Sequence, residues 1–317
     1  MKDGLFLPQI AFSYAYGSYK IFLKQNKEAH EAMKPIVMKH IKINLNQWKV
    51  FEKSKKVPSI IWTTPARFTL FSATDRSPIY YMDRHDCWDY YLLTGRFPLC
   101  KRTSISKPMF SNVVSLFKAG KQFEVQMRIL FERDYEPDSI VQIEQIKFLG
   151  FTEEEDSVYE FCGNEIDFLY LKTFYDVDKI IDIKVEHLYY YEESGTLPKA
   201  YCKAIEGLIT NKHLAPPDSI EKLRAKEALK IQIGKGIANL PLFGVEVEDN
   251  ELKTKTIGLY DADLKSRLFN RYKNIMLSPQ ISLRCQAYER LHIMKVVRDL
   301  MKMKCEIYNV DTDGIIY

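Results

Sequence analysis

Apolar residues recur at three- and four-residue spacing between Pro279 and Lys304. Leu283, Ala287, Leu291, Met294, Val297 and Met301 lie on one face, which predicts a long amphipathic helix. That helix leads into Glu306-Ile307-Tyr308-Asn309-Val310, then Asp311-Thr312-Asp313-Gly314 and Ile315-Ile316-Tyr317. A strand, a tight turn and a second strand is the reading. Further strands are predicted at Ile60-Ile61-Trp62, Phe68 to Phe71, Ile79 to Met82 and 180–191, with alternation through Phe123 to Ile129 in an extended segment over 124–150. Residues 9–56 read mainly helical, as do 164–175 and Leu197 to Leu208. Pro216-Pro217 precedes Asp218 and Glu221, a capping-box pair that opens a helix to about Ile233, closed by Gly234 and Gly236. A polar, hairpin-like stretch follows at about 244–265.

Mixed helices and strands with antiparallel hairpins predict an α+β fold rather than a doubly wound sheet. The 317 residues suffice for a large core and two subdomains. Hydrophobic content of 46% and charged content of 28% describe a soluble globular protein. A net charge of +4 permits nucleic-acid binding through local patches without requiring it. Six dispersed cysteines, with no C-x-x-C, argue against a zinc site or a disulfide scaffold and point to a reducing compartment. The apolar stretch Leu5 to Tyr19 is interrupted by Pro8 and Gly17 and is too short to span a membrane. Asp3 and the lack of a small-residue cleavage site argue against a signal peptide. No phosphate-binding loop of the G-x-x-x-x-G-K type and no G-x-S-x-G element occurs.

Three sets of residues carry candidate chemistry. Asp311 and Asp313 are carboxylates one residue apart on a turn, a geometry suited to divalent metal. A solvated hairpin turn would use the same residues. Asp83 ends an apolar strand and opens Asp83-Arg84-His85-Asp86-Cys87-Trp88, where Asp83 and Asp86 would also serve as caps for a helix near Trp88. Lys222, Lys226 and Lys230 share one helical face suited to triphosphate, with Lys212 just upstream; a solvated face of mixed charge is the plainer alternative. Gly234-Lys235-Gly236 would permit close approach of another backbone. The histidines show no metal-ligand spacing, and only His85 lies near a candidate acid.

The order of these pieces resembles the three polymerase motifs of family-B DNA polymerases, in the protein-primed branch of bacteriophages and linear plasmids. Asp83 to Trp88 sits where that branch has D-x-x-S-L-Y, and Arg96-Phe97-Pro98 resembles the stretch after it. Lys226 to Gly234 sits where it has K-x-x-x-N-S-x-Y-G, and Tyr308 to Gly314 resembles Y-x-D-T-D-S. Ile10 to Phe22, Glu165 to Lys203 and Ala238 to Ser278 are similar to the intervening segments, the last to a hairpin used in strand displacement. Departures are present: Asp86 for Ser, Trp88 for Tyr, Lys230 for Asn, Ile233 for Tyr and Gly314 for Ser. Tyr308 stands three residues before Asp311 rather than two, no Tyr-Gly-Gly stretch occurs near Arg67-Phe68-Thr69, and no D-x-E exonuclease motif precedes position 60.

The resemblance implies a segment preceding the palm (1–57), palm (58–100), an inserted α+β subdomain (101–196), fingers helices (197–237), an inserted hairpin (238–278) and palm again (279–317). It implies a fragment ending after the third motif, before the remaining palm and the thumb. It further implies two Mg²⁺ ions on Asp83, Asp311 and Asp313. Lys226, Lys222, Lys212 and Lys230 would bind the incoming dNTP, Trp88 would pack on its sugar, and Gly234 and Lys235 would approach DNA. Expected partners are template-primer DNA, dNTP and a terminal priming protein, with no membrane. The expected location is the host cytosol, or mitochondria or cytoplasm for a eukaryotic linear plasmid. The alternatives are a catalytically inactive polymerase-like DNA-binding protein and a template-independent nucleotidyl transferase or cyclase.

Overall fold

The computed structural model describes residues 21–54, 67–69, 79–83, 87–132, 135, 150–152, 155–236, 243–248, 251–256, 278–311 and 314–317. In chain order the elements are α1 (Lys27–Ser54), β1 (Arg67–Thr69), β2 (Tyr81–Asp83), α2 (Cys87–Thr94), β3 (Phe97–Pro98) and β4 (Arg102–Ser104). Then come α3 (Phe110–Lys118), β5 (Gln122–Phe131), β6 (Gly150–Thr152), β7 (Glu155–Asn164), α4 (Glu165–Phe174), β8 (Ile180–Tyr191) and β9 (Ser194–Gly195). The rest are α5 (Lys199–Leu214), α6 (Ile220–Gly236), β10 (Phe243–Glu248), β11 (Glu251–Thr256), α7 (Pro279–Lys302), β12 (Asn309–Asp311) and β13 (Gly314–Ile316). The fold is α+β, and every strand pair is antiparallel. The chain divides into two compact units, Met1–Pro58 with Leu197–Ser282, and Ser59–Thr196 with Leu283–Tyr317.

The second unit holds two sheets of functional interest. One has the order β1-β12-β13-β2, the other β4-β8-β5-β7-β6. The central strand β5 alternates, with Phe123, Val125, Met127 and Ile129 on one face and Gln122, Glu124, Gln126 and Arg128 on the other. Phe123, Val125, Met127 and Ile129 are fully buried. They join one core cluster with Phe168, Leu171 and Phe174 of α4, with Leu291, Met294 and Val297 of α7, and with Val310 and Ile315 of the terminal hairpin. Burying each such side chain contributes roughly 1.5–3 kcal/mol. The apolar stripe of α7 thus carries the hairpin on the same core as the five-stranded sheet. Helix α4 opens with a reciprocal cap: Asn164 Oδ1 accepts from Ile166 N at 2.8 Å, and Asp167 Oδ2 accepts from Asn164 N at 2.9 Å. Gly163 is required beside it, since a Cβ there would lie 2.5 Å from Asp167 Cβ.

In the first unit, α5 and α6 form a helical pair. Ala225, Ala228, Leu229 and Gln232 bury one face of α6, while Tyr201 and Ile205 bury a face of α5. Tyr201 Oη donates to Gln232 Oε1 at 3.2 Å. Ser219, rather than Asp218, caps α6, its hydroxyl accepting from Lys222 N at 3.2 Å. Asp218 takes a left-handed φ of 59° and closes the preceding turn. Gly234 and Gly236 fall inside the last turn of α6 instead of ending it before Gly234. Glycine costs only about 1 kcal/mol within a helix, which tertiary contacts readily offset. Strands β10 and β11 make a hairpin within the expected polar stretch. The expected strand at Ile60-Ile61-Trp62 and most of Ile10 to Phe22 lie outside the described residues.

Candidate active site

Asp83 closes β2 and Asp311 closes β12, and both are in register with Gly314, the first residue of β13. Their backbone positions therefore form a row across three adjacent strands, roughly 10 Å from end to end at normal strand spacing. The opposite face of the hairpin carries Val310 and Ile315, which are buried in the core. Period-two alternation then places Gly314 and Asp83 on the outward face, and Asp83 is exposed. Pairing continues beyond the row: Tyr80 and Tyr317 exchange backbone hydrogen bonds of 2.7 and 3.0 Å and stack at 5.7 Å. Asp313, His85 and Asp86 lie outside the described residues. Among the described residues, no three His, Cys, Asp or Glu side chains cluster as a metal site. Two hard carboxylate positions on one rigid row are the donor type that Mg²⁺ takes, so the residues fit that ion.

Helix α7, which leads into the terminal hairpin, is held by buried polar contacts. Arg284 is fully buried, with Nε 2.8 Å from Glu165 Oε1 and Nη2 3.0 Å from Glu165 Oε2. Its Nη2 also donates to Phe123 O at 3.2 Å. Burial opposes the guanidinium charge, but Glu165, Tyr191 and Glu124 outweigh it and raise the Arg284 pKa further. Glu124 in turn bonds Arg102 at 3.1 Å and Tyr191 Oη at 2.6 Å. One helical turn beyond Arg284, Tyr288 stacks on Tyr91 of α2 at 4.2 Å, and Tyr91 meets Phe97 edge-on at 5.3 Å. Arg290 pairs with the buried Asp167 of α4. Burial raises the Asp167 pKa, and Arg290 and the Asn164 amide work against that. The Tyr91–Tyr288 stack holds α7 against α2, which carries Trp88 and follows the strand that ends in Asp83. Trp88 is half-buried, and its indole N–H lies buried with no acceptor among the described groups.

The lysines belong to the first unit. Lys222 and Lys226 line an open groove of about 330 Å³ with Pro217, Asp218, Ser219 and Leu223. Lys226 and Lys230 are exposed, and Lys230 lies 3.9 Å from Glu227, so its charge is shared along the helix. Lys212 occupies the last turn of α5. Gly234 and Lys235 sit in the final turn of α6.

The α+β fold is like that of a DNA polymerase. The likeness is to Phi29 DNA polymerase, a protein-primed family-B enzyme. Its post-translocation binary complex with primer-template DNA superposes at a TM-score of 0.57 and 12% identity, covering 96% of this chain and 47% of that one. The ternary complex with primer-template DNA and incoming nucleotides gives a TM-score of 0.52 at 12% identity, covering 98% and 50%. The complex with single-stranded DNA gives a TM-score of 0.51 at 13% identity, covering 94% and 50%. The chain thus spans about half the length of the polymerases it matches. No family model matches the sequence, and neither does any curated protein. At such identities the likeness establishes the fold. No helix among the described residues is long and apolar enough to cross a membrane.

Proposed function

We propose that the chain performs template-directed nucleotidyl transfer, adding dNTP to a primer 3′-hydroxyl or a priming-protein hydroxyl. The observation that carries this reading is the register of Asp83 and Asp311 about Gly314, on a fold shared with a DNA polymerase. Asp83 and Asp311, with Asp313, would hold two Mg²⁺ ions. When bound, these ions acidify the attacking hydroxyl and neutralise the leaving pyrophosphate. The carboxylates fix the reacting end of the primer against the sheet, where a rigid row costs little reorganisation. Lys226 and Lys222 draw the triphosphate electrostatically, with Lys212 and Lys230 adding to the same field. Trp88 packs beside the sugar and excludes a 2′-hydroxyl by bulk. Gly234 and Lys235 approach the DNA backbone. A protein-primed start in a viral or plasmid host's cytosol follows from the sequence resemblance.

A second reading, an inactive DNA-binding relative, is favoured by Lys230 and Ile233 standing where the family has Asn and Tyr. Incorporation of labelled dNTP on a primer-template with Mg²⁺ separates the two. Template-dependent extension, lost in Asp313→Ala, supports polymerisation. Salt-sensitive DNA binding without incorporation supports the second reading. Nucleotide turnover without DNA contradicts both.

A further inference from the structure

The acid row contains a second feature that its carboxylates do not explain. Gly314, between Asp83 and Asp311, is buried although it lies on the outward face. The cover is Tyr81. Tyr81 pairs in register with Ile316, so it stands diagonally from Gly314, within reach of an aromatic side chain. A Cβ placed on Gly314 would lie 3.0 Å from Tyr81 Oη and 3.2 Å from its Cε2. Tyr81 itself remains 68% exposed. Tyr81 and Asp83 are two residues apart on one strand and share a face.

Gly314 is also the position where the sequence resembles a motif ending in Ser. A serine hydroxyl there would extend from the Cβ into the space that Tyr81 Oη already approaches. Tyr81 Oη thus occupies the space that a side chain at 314 would enter. We propose that Tyr81 supplies, from the neighbouring strand, the hydroxyl that position 314 lacks, and that it positions the primer end by donating to a sugar–phosphate oxygen of the terminal nucleotide. A phenol suits the place because it is an uncharged hydrogen-bond donor, so it donates without adding charge beside Asp83. Contact with the backbone rather than a base makes the effect independent of sequence. This inference rests on the polymerase reading above.

The test compares wild type, Tyr81→Phe, Tyr81→Ala and Tyr81→Ala/Gly314→Ser for primer-template affinity by fluorescence anisotropy, and for extension by the same proteins. Tyr81→Phe keeps the ring and is expected to weaken primer-template affinity about 10-fold, as for a lost hydrogen bond to a charged acceptor. The KM for dNTP and the melting temperature are expected to stay at their wild-type values. In the double variant the serine restores a hydroxyl from the turn and recovers affinity above that of Tyr81→Ala. Wild-type behaviour of Tyr81→Phe, or a double variant no better than Tyr81→Ala, overturns the assignment while the polymerase reading stands. A wild-type protein that neither binds nor extends primer-template overturns both.

Discussion

Arg284 Nε lies 2.8 Å from Glu165 Oε1 while Nη2 lies 3.0 Å from Oε2, a two-point fork with the guanidinium fully buried. This pair ties α7 to the start of α4, and α7 leads into the hairpin that carries Asp311. Removing one member of a buried ion pair strands the other charge and costs about 3–5 kcal/mol. Arg284→Met should therefore lower the unfolding free energy from urea titration by that amount. Arg284→Lys should recover little, because an ammonium cannot reproduce the fork. A loss below about 1 kcal/mol would remove Arg284 from the architecture of the site.

Tyr91, Tyr175 and Tyr191 give the protein an alkaline limit. Burial raises all three pKa values, aided at Tyr91 by Glu165, at Tyr175 by Tyr170 and at Tyr191 by Glu124. A folded-state pKa above the unfolded value of about 10 gives stability that is complete below pH 10 and falls as pH rises toward the folded value. The slope approaches about 1.4 kcal/mol per pH unit for each tyrosine. Stability should fall steeply above pH 10, with tyrosinate absorbance rising together with loss of fold. Early, non-cooperative ionisation of all tyrosines at pH 10 would contradict the buried placement.

Stacking of Tyr91 on Tyr288 at 4.2 Å secures α2 against α7. Tyr91→Ala should destabilise by about 3–5 kcal/mol, as for large aromatic truncations in a core. Tyr91→Phe keeps the stack and should cost about 1 kcal/mol or less. Equal losses in the two variants would show that the hydroxyl, not the stacked ring, does the holding.

Lys222 and Lys226 line one groove, so their effects on dNTP should resemble each other. Lys226→Ala should raise the KM for dNTP about 10-fold and make it less sensitive to salt, with melting unchanged because Lys226 is exposed. An unaltered KM in the double Lys222→Ala/Lys226→Ala variant would place the triphosphate elsewhere.

Local periodicity made much of this fold readable. The α7 stripe, the terminal hairpin and the strand over 180–191 are visible because each repeats its apolar pattern within one segment. Of the five-stranded sheet, β5 and β8 were readable as strands, whereas β4 and β7 were not, nor was the order β4-β8-β5-β7-β6, since order depends on which edges meet. Arg284 and Arg290 gave no signal. Their partners Glu165 and Asp167 lie 119 and 123 residues away, and a buried arginine in a helix reads like any polar position. The shift of the α6 cap from Asp218 to Ser219 was equally hidden, because both are good caps and only the left-handed backbone at Asp218 separates them. Asp83 and Asp311 were nameable singly, but their common register with Gly314, and Tyr81 lying over it, follow only from strand pairing.

The most direct test of the central claim is primer extension with Mg²⁺ by wild type and Asp83→Asn, read beside their melting curves. Asp83 is exposed at a strand end, so its substitution should shift stability by no more than about 0.5 kcal/mol. The account predicts template-dependent extension by the wild type, reduced at least about 100-fold in Asp83→Asn with the fold intact. Extension at the wild-type rate by folded Asp83→Asn would contradict it.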